Sequence, residues 1–144
     1  MAEHAPPPEF ARRSLWRRWF GQRSERVAAR YLRAKGYRLL AANVADRRGE
    51  LDLLAVDPDG TTVVVVEVRS VSGTDPHLAA ETVDARKQRK ITEAALRYVA
   101  RRKLLDVTVR FDVLALAWPP AAREPTILHI SQAFESTGRF QMWS

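Results

Sequence analysis

Gly49-Glu50-Leu51-Asp52-Leu53-Leu54-Ala55-Val56, then Asp57-Pro58-Asp59-Gly60, then Thr61-Thr62-Val63-Val64-Val65-Val66-Glu67-Val68-Arg69-Ser70: no other part of the 144-residue chain constrains its architecture so tightly. Asp-Pro-Asp-Gly is turn chemistry, because Pro fixes φ, Asp bonds its own backbone and Gly accepts positive φ. The flanks read as two strands of a hairpin, Glu50–Val56 and Thr61–Ser70. Four consecutive valines leave no polar face, so the second strand belongs at the centre of a sheet, buried on both sides. Charge inside such a strand needs a reason, since a buried carboxylate is costly unless it is paired or binds a metal. Glu67 and Arg69, two apart, share one face. With Pro58 and Asp59 at the turn tip, Asp52 falls opposite Val65 and Glu50 opposite Glu67. Asp52 and Glu67 are then diagonal neighbours, about 7–8 Å apart at their backbones. That gap suits two carboxylates converging on a hard cation such as Mg²⁺, provided that no bulge breaks the parity. Spacing alone also admits a plain Glu67–Arg69 ion pair on a half-exposed strand, with Asp52 at a strand end.

Outward from the hairpin, residues 24–35 read as a helix. Its stripe is Val27, Ala28, Tyr31 and Leu32, Gly36 is placed to stop it, and Glu25 sits at the stripe's edge. Tyr37–Val44 reads as a strand and Ala45–Gly49 as a turn. Val71–His77 is a loop. Asp84–Arg102 is a long helix with Asp84 as N-cap and Ile91, Ala94, Ala95, Tyr98 and Val99 as its apolar stripe. Val107–Leu116 is a strand with Val107, Val109, Phe111, Val113 and Ala115 on one face. Trp118-Pro119-Pro120 opens a loop, and Ile127–Ile130 is a short last strand. The order is α-β-β-β-α-β-β. Residues 1–20, with Pro6-Pro7-Pro8 and then arginines among Trp16, Trp19 and Phe20, read as a flexible basic, aromatic arm; packing of its aromatics as a short helix is the alternative. Residues 21–135 form one domain and 136–144 a tail.

Composition narrows the chemistry. Lys plus Arg is 24 against 17 Asp plus Glu, a formal charge of +7. A small basic domain favours a polyanionic partner. Cysteine is absent, which removes disulfides, thiolate catalysis and cysteine metal sites. His4, His77 and His129 are too far apart for a His-x-x-x-His pair, and His129 reads as structural. No apolar run reaches the ~20 residues of a membrane helix. Arg12-Arg13 resembles a twin-arginine signal, but Arg17, Arg18, Arg23 and Arg26 interrupt the segment that should follow; a cytoplasmic location is expected. The charge is also segregated: residues 12–38 carry +9, residues 39–85 carry −6 and residues 86–103 carry +7. An acidic centre lies between two basic arms, as a carboxylate site flanked by phosphate-binding helices requires, although two solvated helix faces give the same counts.

The acid on the first helix, the Asp after the turn and the Glu-x-Arg strand resemble the PD-(D/E)XK nuclease superfamily. More closely, the chain resembles the uncharacterised YraN-like family, related in fold to archaeal Holliday junction resolvases. The resemblance rests on Gly21, Glu25, Ala28 and Tyr31-Leu32; Gly36-Tyr37; Asn43; Gly49 to Leu53; Val66 to Arg69; Val83 and Lys87; Ala95; Arg110 to Val113; His129-Ile130; and Ala133-Phe134. It implies an α/β, restriction-endonuclease-like fold over residues 21–135, a central mixed sheet flanked by helices. It implies a catalytic set of Glu25, Asp52, Glu67 and Arg69, with Asp52 and Glu67 as ligands of Mg²⁺ or Mn²⁺. Arg69 stands where the superfamily usually has Lys; Arg stays protonated and cannot act as a base. Lys87, at the start of the second basic segment, is the candidate substitute.

The reaction expected from this set is metal-dependent phosphodiester hydrolysis. Arg26, Arg30 and Arg33 on the first helix, with Arg86, Lys87, Arg89 and Lys90 on the second, are the candidate backbone contacts, positioning nucleic acid without reading it. DNA is expected ahead of RNA, and resolvases of this fold act as homodimers. The competing reading is a non-catalytic DNA- or RNA-binding module whose nuclease site is degenerate at Arg69. A membrane-surface or scaffold role through Trp16, Trp19 and Phe20 is a third class.

Overall fold

A computed structural model describes residues 15–103 and 106–135. Helix α1 spans Leu15–Ala34, and strands β1 (Arg38–Asp46), β2 (Gly49–Val56) and β3 (Thr62–Ser72) follow. A single turn, α2 (His77–Ala80), leads into α3 (Ala85–Arg101), and β4 (Thr108–Trp118) and β5 (Thr126–Phe134) complete the chain. The strands lie in sequence order, β3 and β4 parallel and every other neighbouring pair antiparallel. β3 is therefore central, and α3 is the crossover that a parallel pair demands. The fold is the expected α/β arrangement, a mixed sheet between helices.

Each valine of Val63 to Val66 packs on the face opposite to the next. Val63 and Val65 join Leu51, Leu54, Phe111, Val113 and Ala115 beneath the Ile91, Ala94, Ala95, Tyr98 and Val99 stripe of α3. Val64 and Val66 join Leu53, Leu114 and Leu116 beneath Ala28 and Leu32 of α1. Both helices thus bury the stripes that their periodicity announced. The caps agree as well. The Asp84 carboxylate accepts from the Lys87 amide at 2.9 Å. Gly36, at φ +92°, closes α1 with Gly36 N–H on the Arg33 carbonyl and Tyr37 N–H on the Leu32 carbonyl, a Schellman end. The β1–β2 turn is tied to α3: Asp46 accepts from the amides of Arg48 and Gly49 and, at 2.6 and 3.1 Å, from the Arg97 guanidinium. Those bonds, the Arg97 bond foremost, hold the Asp46 carboxyl down at about 2.

Several boundaries differ from the sequence reading. α1 begins at Leu15, so the backbone of residues 15–20 of the expected arm continues the helix. Residues 1–14 and 136–144, and the side chains of Trp16, Trp19 and Phe20, lie outside the described residues. β4 runs on to Trp118, and β5 from Thr126 to Phe134, longer at both ends than expected. The hairpin register is also corrected. Asp57 N–H bonds the Thr62 carbonyl and Leu53 pairs with Val66, so the turn is centred on Asp59 and Gly60. The Asp59 carboxylate explains the shift: it accepts from the Thr61 and Thr62 amides and the Thr62 hydroxyl, drawing Thr61 into the turn.

One buried polar cluster belongs to the scaffold. Asp112, fully buried on β4, accepts two bonds from Arg110 (2.8 and 3.0 Å), one from the Gln132 amide and one at 2.8 Å with His129 Nε2. Arg110 also reaches Asp57 at 2.6 Å and the Tyr37 hydroxyl at 2.9 Å. This ties β4 and β5 to the hairpin turn and to the end of α1, and gives His129 its structural role. Burial raises the Asp112 carboxyl, but the bonds from His129, Arg110 and Gln132 prevail and hold it below its ordinary value of 3.8. Asp112→Asn is expected to cost about 1–3 kcal/mol near neutral pH, because it takes the charge from the shared acceptor of Arg110 and His129 while Asp57 still compensates the guanidinium. A carboxyl held low stabilises fully above its unfolded value, and that gain disappears as pH falls through the folded one. Urea denaturation should therefore show the gap between wild type and variant closing in acid; a constant gap down to about pH 2 refutes the assignment.

Candidate active site

The β2–β3 pairing ends at Leu53 and Val66, so Asp52 and Glu67 follow just beyond the last paired residues. At that point the sheet is irregular. Leu51 and Leu54, three apart, pack in the same layer while Leu53 packs in the other, so β2 rotates about Asp52. On its other side the β1 register carries Asn43 across from Asp52, and Asn43 sits at φ +52°. The Asp52 carboxylate accepts the Val68 N–H at 2.8 Å, so a side chain serves a backbone donor of β3. Asp52 is thereby held in the opening between two strands.

Glu67 is 5% exposed and sits on the α3 side of β3. Arg69 Nε lies 3.1 Å from its Oε2, and Lys87 Nζ, from the first turn of α3, lies 3.6 Å from the same oxygen. Arg69 Nε is buried and, among the described residues, not aligned with any acceptor in a hydrogen bond. Glu25, from α1, hydrogen-bonds Asn43 and feels Glu50 and Glu67. Four elements thus converge, with Glu25, Glu50, Asp52 and Glu67 set against Arg69 and Lys87.

The electrostatics follow. Burial, then the charge of Glu67, pushes the Asp52 carboxyl well above its ordinary value, against the opposing pull of the Val68 amide. The Asp52 and Glu67 side chains lie against one another, and two carboxyl groups this close oppose ionisation, so the neutral form of Asp52 is favoured. Burial also raises Glu25, with Glu50 and Glu67 adding to the effect and the Asn43 bond opposing it.

The donor set fits a hard divalent ion. Asp52 and Glu67 offer neighbouring carboxylate oxygens. Among the described residues no three Asp, Glu or His side chains enclose a metal position. Magnesium needs no such cage: one or two carboxylates suffice, the remaining positions going to water and phosphate oxygens.

The sequence-predicted residues divide in two. Glu25, Asp52, Glu67, Arg69 and Lys87 come together. Arg33, Arg86, Arg89 and Lys90 are exposed on α1 and α3. Arg26 and Arg30 line a separate cleft on the other flank of α1. Asn43 was quoted only for its resemblance; its bond to Glu25 makes it a positioning residue, and an Asn inside an alternating strand was the available signal. Trp118 was assigned to a loop, but it ends β4 and donates from Nε1 to Ser24 Oγ at 3.3 Å. Among the described residues no helix is long and apolar enough to cross a membrane.

A family model described as "Uncharacterised protein family UPF0102" matches residues 24–116, a segment that includes Glu25, Asn43, Asp52, Glu67, Arg69 and Lys87. A UPF0102 protein of Rhodopirellula baltica is 45% identical over 82% of this chain and 71% of its own length. A UPF0102 protein of Bordetella avium is 41% identical over 83% of this chain and 84% of its own, and one of Persephonella marina 37% identical over 80% and 92%. With a match of this extent and relatives this similar over most of both chains, the protein belongs to the UPF0102 family, the YraN-like group.

Proposed function

We propose that this protein is a divalent-metal-dependent phosphodiesterase acting on nucleic acid, DNA ahead of RNA. The observation that carries the reading is the opposed Asp52–Glu67 pair with Lys87 Nζ 3.6 Å from Glu67 Oε2. A purely structural acid pair in a sheet interior would be replaced by apolar residues at no loss, whereas a pair beside an ammonium and a guanidinium can serve a phosphate. Asp52 and Glu67 would hold Mg²⁺ or Mn²⁺, which supplies charge neutralisation for a phosphodiester and a water of lowered pKa.

The chain's own groups do the rest. The Val68 amide fixes the Asp52 carboxylate, and Asn43 orients Glu25 toward the pair. Lys87 supplies the mobile ammonium that the signature usually carries at position 69. Its three rotatable donors suit it to orient a water or a phosphate oxygen. Arg69 keeps its charge throughout and stabilises the added negative charge of the transition state. Arg33 of α1, with Arg86, Arg89 and Lys90 of α3, would hold flanking phosphates. One observation favours the alternative, a binding module with a degenerate site: Arg69 Nε lies against Glu67, at a distance that Lys would not fix in the same way.

Cleavage of linear, branched and single-stranded DNA in Mg²⁺ or Mn²⁺, paired with binding assays, separates the readings. Asp52→Ala and Glu67→Ala should each lower cleavage at least a hundredfold, with binding retained or tighter because a repulsive charge is gone. Lys87→Ala should lower it more than tenfold. Cleavage that survives both acid substitutions sinks the site. A wild type that binds without cutting, and cuts once Arg69→Lys is introduced, establishes the degenerate alternative.

A second prediction needs no substrate. Asp52→Asn keeps an acceptor for Val68 and removes the charge, so without divalent ions the variant should melt higher than wild type at neutral pH. Saturating Mg²⁺ at about ten times its Kd should raise the wild-type Tm by roughly 3–6 °C and leave Asp52→Asn unmoved. Equal shifts in both proteins place the ion elsewhere.

A further inference from the structure

On the flank of α1 away from Glu25 lies a cleft of about 400 Å³, within the ~300–1,000 Å³ range of small-ligand sites. Arg23, Arg26, Arg30, Arg123, Trp118 and Glu124 line it. Arg23, Arg26 and Arg30 recur at helical spacing, rising about 4.5 and then 6 Å along one stripe. Arg123 faces them from the β4–β5 loop, whose backbone is tied to α1 by the bond from Arg23 to the Arg123 carbonyl at 3.4 Å. Among the described lining residues arginines outnumber carboxylates, which favours an anion. The Arg30–Glu124 contact, 3.3 Å and about 70% exposed at both ends, is a weak pair that a phosphate displaces readily.

Trp118 narrows the ligand. Its Nε1 donates to Ser24 Oγ, which also bonds Ser70, so the indole is fixed to α1 and β3. The Arg23 guanidinium lies over the ring, 4.3 Å from its centroid. A guanidinium stacked on an indole presents a second flat cationic face, on which a nucleobase stacks well. Phosphate alone would need only the arginines; an anchored indole beside them adds an aromatic surface.

We propose that this cleft is a nucleotide-binding subsite, taking a phosphate on Arg26, Arg30 and Arg123 and its base on the Arg23–Trp118 stack. The subsite uses no metal and none of the carboxylates of the candidate active site, so it stands apart from the phosphodiesterase reading. The shared chemistry, a nucleobase joined to a phosphate, occurs both in a free nucleotide and at the end of a single strand.

Isothermal titration of the full chain in EDTA tests this, since chelation leaves the carboxylate site without metal. Adenosine 5′-monophosphate should bind at least tenfold more tightly than ribose 5-phosphate, and the exposed double substitution Arg30→Glu/Arg123→Glu should weaken it at least tenfold. Trp118→Phe, which keeps a ring of smaller area, should weaken the nucleotide but not the sugar phosphate. Glu67→Gln should change neither. Tighter binding of a 5′-phosphorylated oligoadenylate identifies a strand end as the occupant, and equal binding identifies the free nucleotide; both support the subsite. Equal affinity for sugar phosphate and nucleotide overturns it, as does an affinity indifferent to the double substitution.

Discussion

Two carboxyl groups face one another where β2 and β3 part, and the surrounding structure is arranged about that opposition. Asp52 and Glu67 would repel across an unbroken ladder. Here β2 rotates about Asp52, Asn43 takes a left-handed conformation opposite it, and the Asp52 side chain bonds the Val68 amide. Each departure from regular sheet costs stability. Together they hold an acid pair, its Asp52 member pushed toward the neutral form, with Lys87 and Arg69 beside Glu67. The opposition is retained while the sheet bends to accommodate it, as expected of a site selected for something other than packing.

The second buried acid sharpens the contrast. Asp112 is even less exposed than Glu67, yet it receives bonds from Arg110, His129 and Gln132 and is held ionised. Asp52 receives one backbone bond and faces another acid, and it is pushed toward its neutral form. Burial is common to both. What separates scaffold from candidate chemistry is whether the polar demand is met within the fold: Asp112 is a completed network, whereas Asp52 and Glu67 are left opposing one another's charge.

Much of this could be read from the residues. The valine run named the central strand, the helical stripes named both packing faces, and the spacing of Glu67 and Arg69 placed them together. The hairpin register was not readable, because it turned on Asp59 drawing Thr61 and Thr62 into a longer loop, a tertiary outcome of local hydrogen bonds. The shift was two residues, which places Asp52 and Glu67 just past Leu53 and Val66, the last pair of the β2–β3 ladder. Lys87 was visible as a charge near a helix start, but its approach to Glu67 depends on the angle at which α3 crosses the sheet, which no periodicity encodes. Trp118 was lost to its neighbours Pro119 and Pro120, which read as a loop and hid the strand's last residue.

The formal charge of +7 is likewise a sum over unlike regions. Ser24 faces the sheet on α1, bonded to Ser70 and Trp118. One residue on, Glu25 turns toward Asn43 and the acid cluster; one residue back, Arg23 turns toward Trp118 and the arginine cleft. At about 100° per residue, adjacent positions reach opposite flanks of the buried stripe. The helix therefore separates a negative pocket from a positive one while its core face, Ala28 and Leu32, packs without polar compromise. On the proposed reading, repulsion would keep the carboxylate cluster from retaining a polyanion unaided, whereas the arginine flank would attract one, so that binding and chemistry would fall on different faces of a single helix.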